Sequence, residues 1–162
     1  MSTANTRGLD NVKDQIGCCG IWCGSCVVGN GVLKLLTERY EGMITAYGLK
    51  EWAPGDFDYE EFSKGLASIR AVPLCSGCLR GGGRPDCEMR SCASRKKVPD
   101  CSECAERPGC QHDALLEKMR SGAVAAGLFV KSGSADAGEL IDEWTVELKR
   151  KWPSITLFMN DK

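Results

Sequence analysis

Between Cys75 and His112 the chain carries Cys75, Cys78, Cys87, Cys92, Cys101, Cys104 and Cys110, with its only histidine, His112, at the end. No apolar periodicity runs through this stretch. Glycine, proline and charged residues fill the gaps, as in Leu-Arg-Gly-Gly-Gly-Arg-Pro-Asp between Cys78 and Cys87. Such a segment cannot bury enough apolar surface to offset its ordering entropy. The cysteines are the groups able to hold it, and bound metal is the expected means.

Eleven cysteines in 162 residues is an odd number. The first sixteen residues are polar and lack the apolar core of an export signal. In a reducing compartment, Cys-x-x-Cys units are better explained as metal ligands than as disulfides. No run approaches the roughly 18 apolar residues of a membrane span. The expected location is therefore the cytoplasm, with no membrane contact. The length suits one compact domain, or a helical body with a cysteine-rich insert. A net charge of −1 makes no global case for nucleic acid.

A second cysteine group lies upstream, in Ile16-Gly17-Cys18-Cys19-Gly20-Ile21-Trp22-Cys23-Gly24-Ser25-Cys26. Cys19, Cys23 and Cys26 stand at C-x3-C-x2-C spacing. That compact loop suits three thiolates on one corner of a cubane, or part of a tetrahedral zinc site. Radical-SAM enzymes use the same spacing, but this chain is too short and too poor in strands for their barrel. A thioredoxin-like dithiol at Cys23 and Cys26 would need flanking βαβ elements that the sequence lacks.

Between and beyond the cysteine groups the pattern is helical. Val32, Leu36, Tyr40, Met43, Ile44 and Tyr47 share a face, and Gly48 is placed to end that helix. Asp58 followed by Glu61 signals the start of a second, with Tyr59, Phe62, Leu66 and Ile69 as its stripe. Leu115, Leu116, Met119, Ala123 and Val124 predict a third. Leu140, Ile141, Trp144, Leu148 and Trp152 predict a fourth, closed by Pro153, and Ile155 to Phe158 could add a short strand. All four stripes are expected to face a core. The expected fold is mainly α: a small helical domain with an irregular cysteine-rich metal-bound lobe. Residues 16–112 would form the metal-binding domain with two of the helices, and 113–162 a C-terminal helical extension packed on it.

The later cysteines can be divided in two ways. Sequentially, one ion takes Cys75, Cys78, Cys87 and Cys92, and a second takes Cys101, Cys104 and Cys110 with His112 or a distant cysteine. In the crossed scheme, Cys75, Cys78, Cys101 and Cys104 form one site and Cys87, Cys92, Cys110 and His112 the other. Local closure costs less loop entropy, which favours the sequential scheme. His112 could equally be an ordinary residue at a helix start. Closed four-ligand sets point to zinc, and the upstream triplet points towards an iron–sulfur cluster. Arg80, Arg84, Arg90, Arg95, Lys96 and Lys97 make the segment after Cys78 basic. With no interleaved aromatics for base stacking, their role is to offset thiolate charge and solvate a loop, not to bind nucleic acid.

At these residues the chain resembles the uncharacterised cysteine-rich prokaryotic domain-of-unknown-function family 3795. The likeness rests on the upstream group and on Cys75-Ser76-Gly77-Cys78-Leu79-Arg80, Cys87-Glu88-Met89-Arg90-Ser91-Cys92-Ala93 and Cys101-Ser102-Glu103-Cys104 through Pro108 to Cys110. It covers roughly Ile16 to His112. Cys18 stands where that family more often carries an aromatic residue, so it is left out of the ligand set. The resemblance implies a bacterial or archaeal intracellular metal-binding protein and supplies no activity.

No paired carboxylates and no nucleophile–base constellation can be picked out, so no catalytic residue is assigned. The expectation is a zinc protein with ligands among Cys19, Cys23, Cys26, Cys75, Cys78, Cys87, Cys92, Cys101, Cys104, Cys110 and His112. It would serve as an interaction module or accessory subunit for another protein. The alternative is an iron–sulfur or dithiol redox protein that uses the upstream triplet.

Overall fold

The structure, a computed structural model, describes residues 7–151. It is mainly helical: α1 (Arg7–Val12), α2 (Val32–Ala46), α3 (Tyr59–Arg70), α4 (Glu88–Lys96), α5 (Asp113–Ala125) and α6 (Ala137–Lys151). Among the described residues there is no strand, only isolated antiparallel bridges pairing Ile16 with Trp22 and Ile21 with Val130. Trp152, Pro153 and the strand expected at Ile155 to Phe158 lie outside the described residues.

Local chemistry sets the helix ends. Gly48, at φ 58°, follows the end of α2. The Asp58 carboxylate accepts from the N–H groups of Glu60 and Glu61, both at 3.0 Å, and so opens α3. Two helices were not expected. α1 lies in the polar N-terminal stretch. α4 lies inside the cysteine-rich stretch, which is therefore not wholly irregular, and residues 16–112 hold three helices where two were predicted. α4 is short and buries only Met89 and Ala93, one turn apart. Its acid, Glu88, is in the first turn and its bases, Arg95 and Lys96, are in the last, as the helix dipole favours.

The main core joins α1 and the upstream cysteine loop to α6 and the segment before it. Ile16, Trp22 and Leu148 are buried together, with Leu9, Phe129, Ile141 and Trp144 against them. The Trp22 ring lies 5.9 Å from both Phe129 and Trp144, and its indole N–H donates to the Lys13 carbonyl at 2.8 Å.

The α2 and α3 stripes behave differently from the expectation. The two helices pack on each other, with Tyr40 edge-on to Phe62 at 6.1 Å. A two-helix hairpin covers only the facing part of each stripe. Tyr40, Met43, Tyr47 and Ile69 consequently remain exposed, as does Val124 on α5.

Candidate functional site

The first and third Cys-x-x-Cys units fold alike from different fillers. Cys23–Ser25 and Cys101–Glu103 each form one 3-10 turn. The N–H of the closing cysteine bonds back to the opening carbonyl, Cys26 to Cys23 at 3.1 Å and Cys104 to Cys101 at 3.4 Å. Both closing cysteines then leave in extended conformation. At the third unit the Asp100 carboxylate accepts from Ser102 N–H at 2.7 Å and pins the turn.

The Cys75 to Cys78 unit is built differently: its 3-10 turn begins at Cys78 (Cys78–Arg80). Gly77 enters it at φ 86°, and a methyl group there would overlap the Gln15 amide. Gln15, though polar, is buried, and its amide closes the loop from inside. It donates to the Ser76 carbonyl at 2.9 Å and accepts from Leu79 N–H at 3.1 Å. Asn11 adds a bond to the Cys75 carbonyl at 2.8 Å.

Thiols gather around Cys78. Its sulfur is hydrogen-bonded with Cys18, and Cys19 and Cys23 both stand within its field. Cys75 is a neighbour of Cys23, and Cys87 of Cys19. The hydrogen bond from Cys18 lowers the Cys78 thiol pKa against the effect of burial, and the Arg90 guanidinium adds to the lowering. The same hydrogen bond, followed by burial, raises Cys18. Burial pushes the Cys23 thiol up to about 11 and also raises Cys19. Arg90 holds the following loop together by donating to the carbonyls of Cys78, Gly82, Arg84 and Pro85.

A second group lines one cleft: Cys92, Cys101, Cys104 and Cys110, with His112 and Leu116. Burial pushes the Cys101 thiol up to about 11, and the fields of Cys19, Cys92, Cys104 and Cys110 add to it. His112 precedes α5 at the cleft edge. Its Nδ1 lies 2.9 Å from a Glu88 carboxylate oxygen and its Nε2 lies 3.1 Å from the Gln111 amide nitrogen.

The cleft brings together Cys101, Cys104, Cys110 and His112, the second set of the sequential scheme, and adds Cys92 to them. Both schemes place Cys87 and Cys92 in one site. In the structure α4 intervenes, with Cys87 as its N-cap and Cys92 five residues on. Cys87 is extended and Cys92 lies about one helical turn past Glu88, so the two thiols do not share one tight turn. Cys92 lines the cleft with Cys101, Cys104 and Cys110, and the charge of Cys87 is felt at Cys19. Cys26, half-buried, closes the first turn, three residues after Cys23.

All eleven cysteines are free thiols. Among the described residues no three ligand side chains close on a single point as they would around an ion. The donor chemistry nevertheless suits a thiophilic metal: each group offers four or more sulfurs. Gly82 keeps that space open, since a Cβ there would come within 2.8 Å of the Cys75 sulfur.

Sequence reasoning missed the residues that hold these loops. Lys131, in the segment between α5 and α6, is buried and ion-paired to Asp100 at 2.8 Å and also to Glu103. Arg120 of α5 donates to the Cys19 carbonyl at 3.0 Å and to the Lys131 carbonyl at 2.6 Å. None of these carries a spacing signal, because each acts through tertiary contact.

No helix among the described residues is long and apolar enough to cross a membrane. Comparison with curated proteins and with solved structures found no match. The family model described as "Protein of unknown function (DUF3795)" matches residues 15–114, which contain every cysteine of both groups. That match covers well over half of the chain, which therefore belongs to the DUF3795 family.

Proposed function

We propose that this chain is a metal-binding protein, with zinc as the metal, and that it acts as an interaction module or accessory subunit. The observation that carries the reading is that Cys92, Cys101, Cys104 and Cys110 line one cleft. These four would hold one ion. The group at Cys78, drawn from Cys19, Cys23, Cys75, Cys78 and Cys87 with Cys26 close by in sequence, would hold a second. Zinc bound by four thiolates supplies folding energy and leaves no open position for chemistry. The protein's own residues would orient the loops: Gln15 and Arg90 at the first group, Asp100 at the second.

The tip of the α2–α3 hairpin supports a protein partner. Tyr47, Trp52 and Phe57 are exposed there, Trp52 at 79%. Glu51, Asp56, Asp58, Glu60 and Glu61 lie close to them in sequence, against Lys50 and Lys64. That balance suits a basic partner segment with apolar side chains.

An iron–sulfur protein is the second reading. What favours it is the sulfur-only character of both groups, given that the His112 ring is engaged by Glu88 and Gln111. Elemental analysis of anaerobically purified protein separates the two. Zinc without acid-labile sulfide supports the first reading, iron with sulfide replaces it by the second, and absence of both metals overturns both.

A further inference from the structure

We infer that Lys131 is a positioning residue that couples the two thiol groups, so that metal bound at one raises the affinity of the other. The inference rests on the metal-binding reading above and adds a linkage between its sites.

A lysine that is only 2% exposed is costly to bury, and breaking such a pair leaves charge stranded. This one is held entirely by the two cysteine loops and their supports. Its ammonium donates to Asp100, itself buried, and to Glu103. Asp100 precedes Cys101 and pins the turn through Ser102, and Glu103 lies between Cys101 and Cys104. The side chain of Lys131 thus grips both ends of the third Cys-x-x-Cys unit.

The backbone of Lys131 grips the other group. Its N–H donates to the Gly20 carbonyl at 2.8 Å, one residue past Cys19. Its carbonyl accepts from Arg120, which also holds the Cys19 carbonyl. A direct bond closes the circuit: Cys101 N–H donates to the Cys18 carbonyl at 2.8 Å.

The consequence follows from ordering entropy. A metal at Cys92, Cys101, Cys104 and Cys110 immobilises the Cys101 turn. Asp100, Glu103 and Lys131 carry that order to Gly20 and Cys19. The second ion then meets a loop already partly ordered and binds more tightly, and linkage makes the effect reciprocal.

The test uses the full chain, reduced, metal-free and anaerobic, titrated with Co(II) in competition with a chelator. Thiolate-to-cobalt absorption reports sulfur ligation. In the otherwise native chain, Cys104→Ser with Cys110→Ser disables the second group and is expected to weaken Co(II) binding at the Cys78 group. The size expected is about 5-fold to 150-fold, the usual range of coupling. In a Lys131→Met background the same pair of substitutions should change that affinity several-fold less, because only the Cys101–Cys18 bond still joins the two groups. Asp100→Asn, which keeps an oxygen for Ser102 N–H, gives an intermediate value and serves if Lys131→Met does not fold. Cobalt–thiolate absorption at both groups with no dependence of one on the other overturns the coupling and leaves metal binding standing. No cobalt–thiolate absorption at all overturns metal binding, and the coupling with it.

Discussion

The side-chain amide of Gln15 donates to the Ser76 carbonyl at 2.9 Å, across 61 residues of sequence. The same amide takes the Leu79 N–H and also donates to the Asn11 carbonyl at 3.2 Å. A buried glutamine with its amide satisfied at both ends specifies one arrangement of the Cys75 to Cys78 loop. The polar N-terminal stretch is thus part of the frame of the first thiol group.

Gln15→Leu keeps the side-chain bulk and removes those bonds, leaving the Ser76 carbonyl and Leu79 N–H without their partner. The expected loss is about 1–3 kcal/mol. Urea unfolding of the reduced protein measures it, and a change below the error of the fit would contradict the role given to Gln15.

Lys131→Met should be more damaging, by about 3–5 kcal/mol, because Asp100 is left as a buried charge without its partner. Burial works against the charge on Lys131, but the hydrogen bonds of Asp100 and Glu103 outweigh it and raise the pKa above the ordinary 10.5. A group raised on folding contributes fully below its unfolded pKa and loses that contribution as pH rises through the folded value. The stability gap between Lys131→Met and the native chain should therefore be level from neutral pH to about pH 9 and shrink only above 10.5. A gap that closed near neutrality would contradict the ion pair.

The helices most legible in the sequence are those with both a stripe and an end signal. Asp58 before Tyr59 and Gly48 after Ala46 mark α3 and α2 where the structure has them. α4 was illegible because it buries only Met89 and Ala93, too few positions to establish a period. That single omission also hid the division of the cysteines, since α4 is what separates Cys87 from Cys92. The cysteines themselves were plain, but their supports were not. Lys131 falls on none of the predicted stripes, and only the folded chain brings it to Asp100.

Trp22→Ala should cost about 3–5 kcal/mol, since a fully buried indole leaves a cavity between Phe129 and Trp144. Thermal unfolding followed by circular dichroism measures it. Because Trp22 immediately precedes Cys23, metal content should fall with stability. Unchanged stability would contradict the placement of the core.

Asp58→Ala removes the cap of α3 and should cost about 1 kcal/mol, within a range of roughly 0.5–2. The hairpin is remote in role from the thiols, so bound metal should be unaffected. Loss of metal in this variant would show that the hairpin belongs to the site.

The central claim is that these thiols bind metal through sulfur. X-ray absorption at the edge of whatever metal copurifies with the chain under anaerobic conditions tests it most directly. The account predicts zinc with a first shell of four sulfurs at about 2.3 Å, reduced when Cys92, Cys101, Cys104 or Cys110 is changed to serine. A shell of nitrogen and oxygen, or a chain that carries no metal, would contradict it.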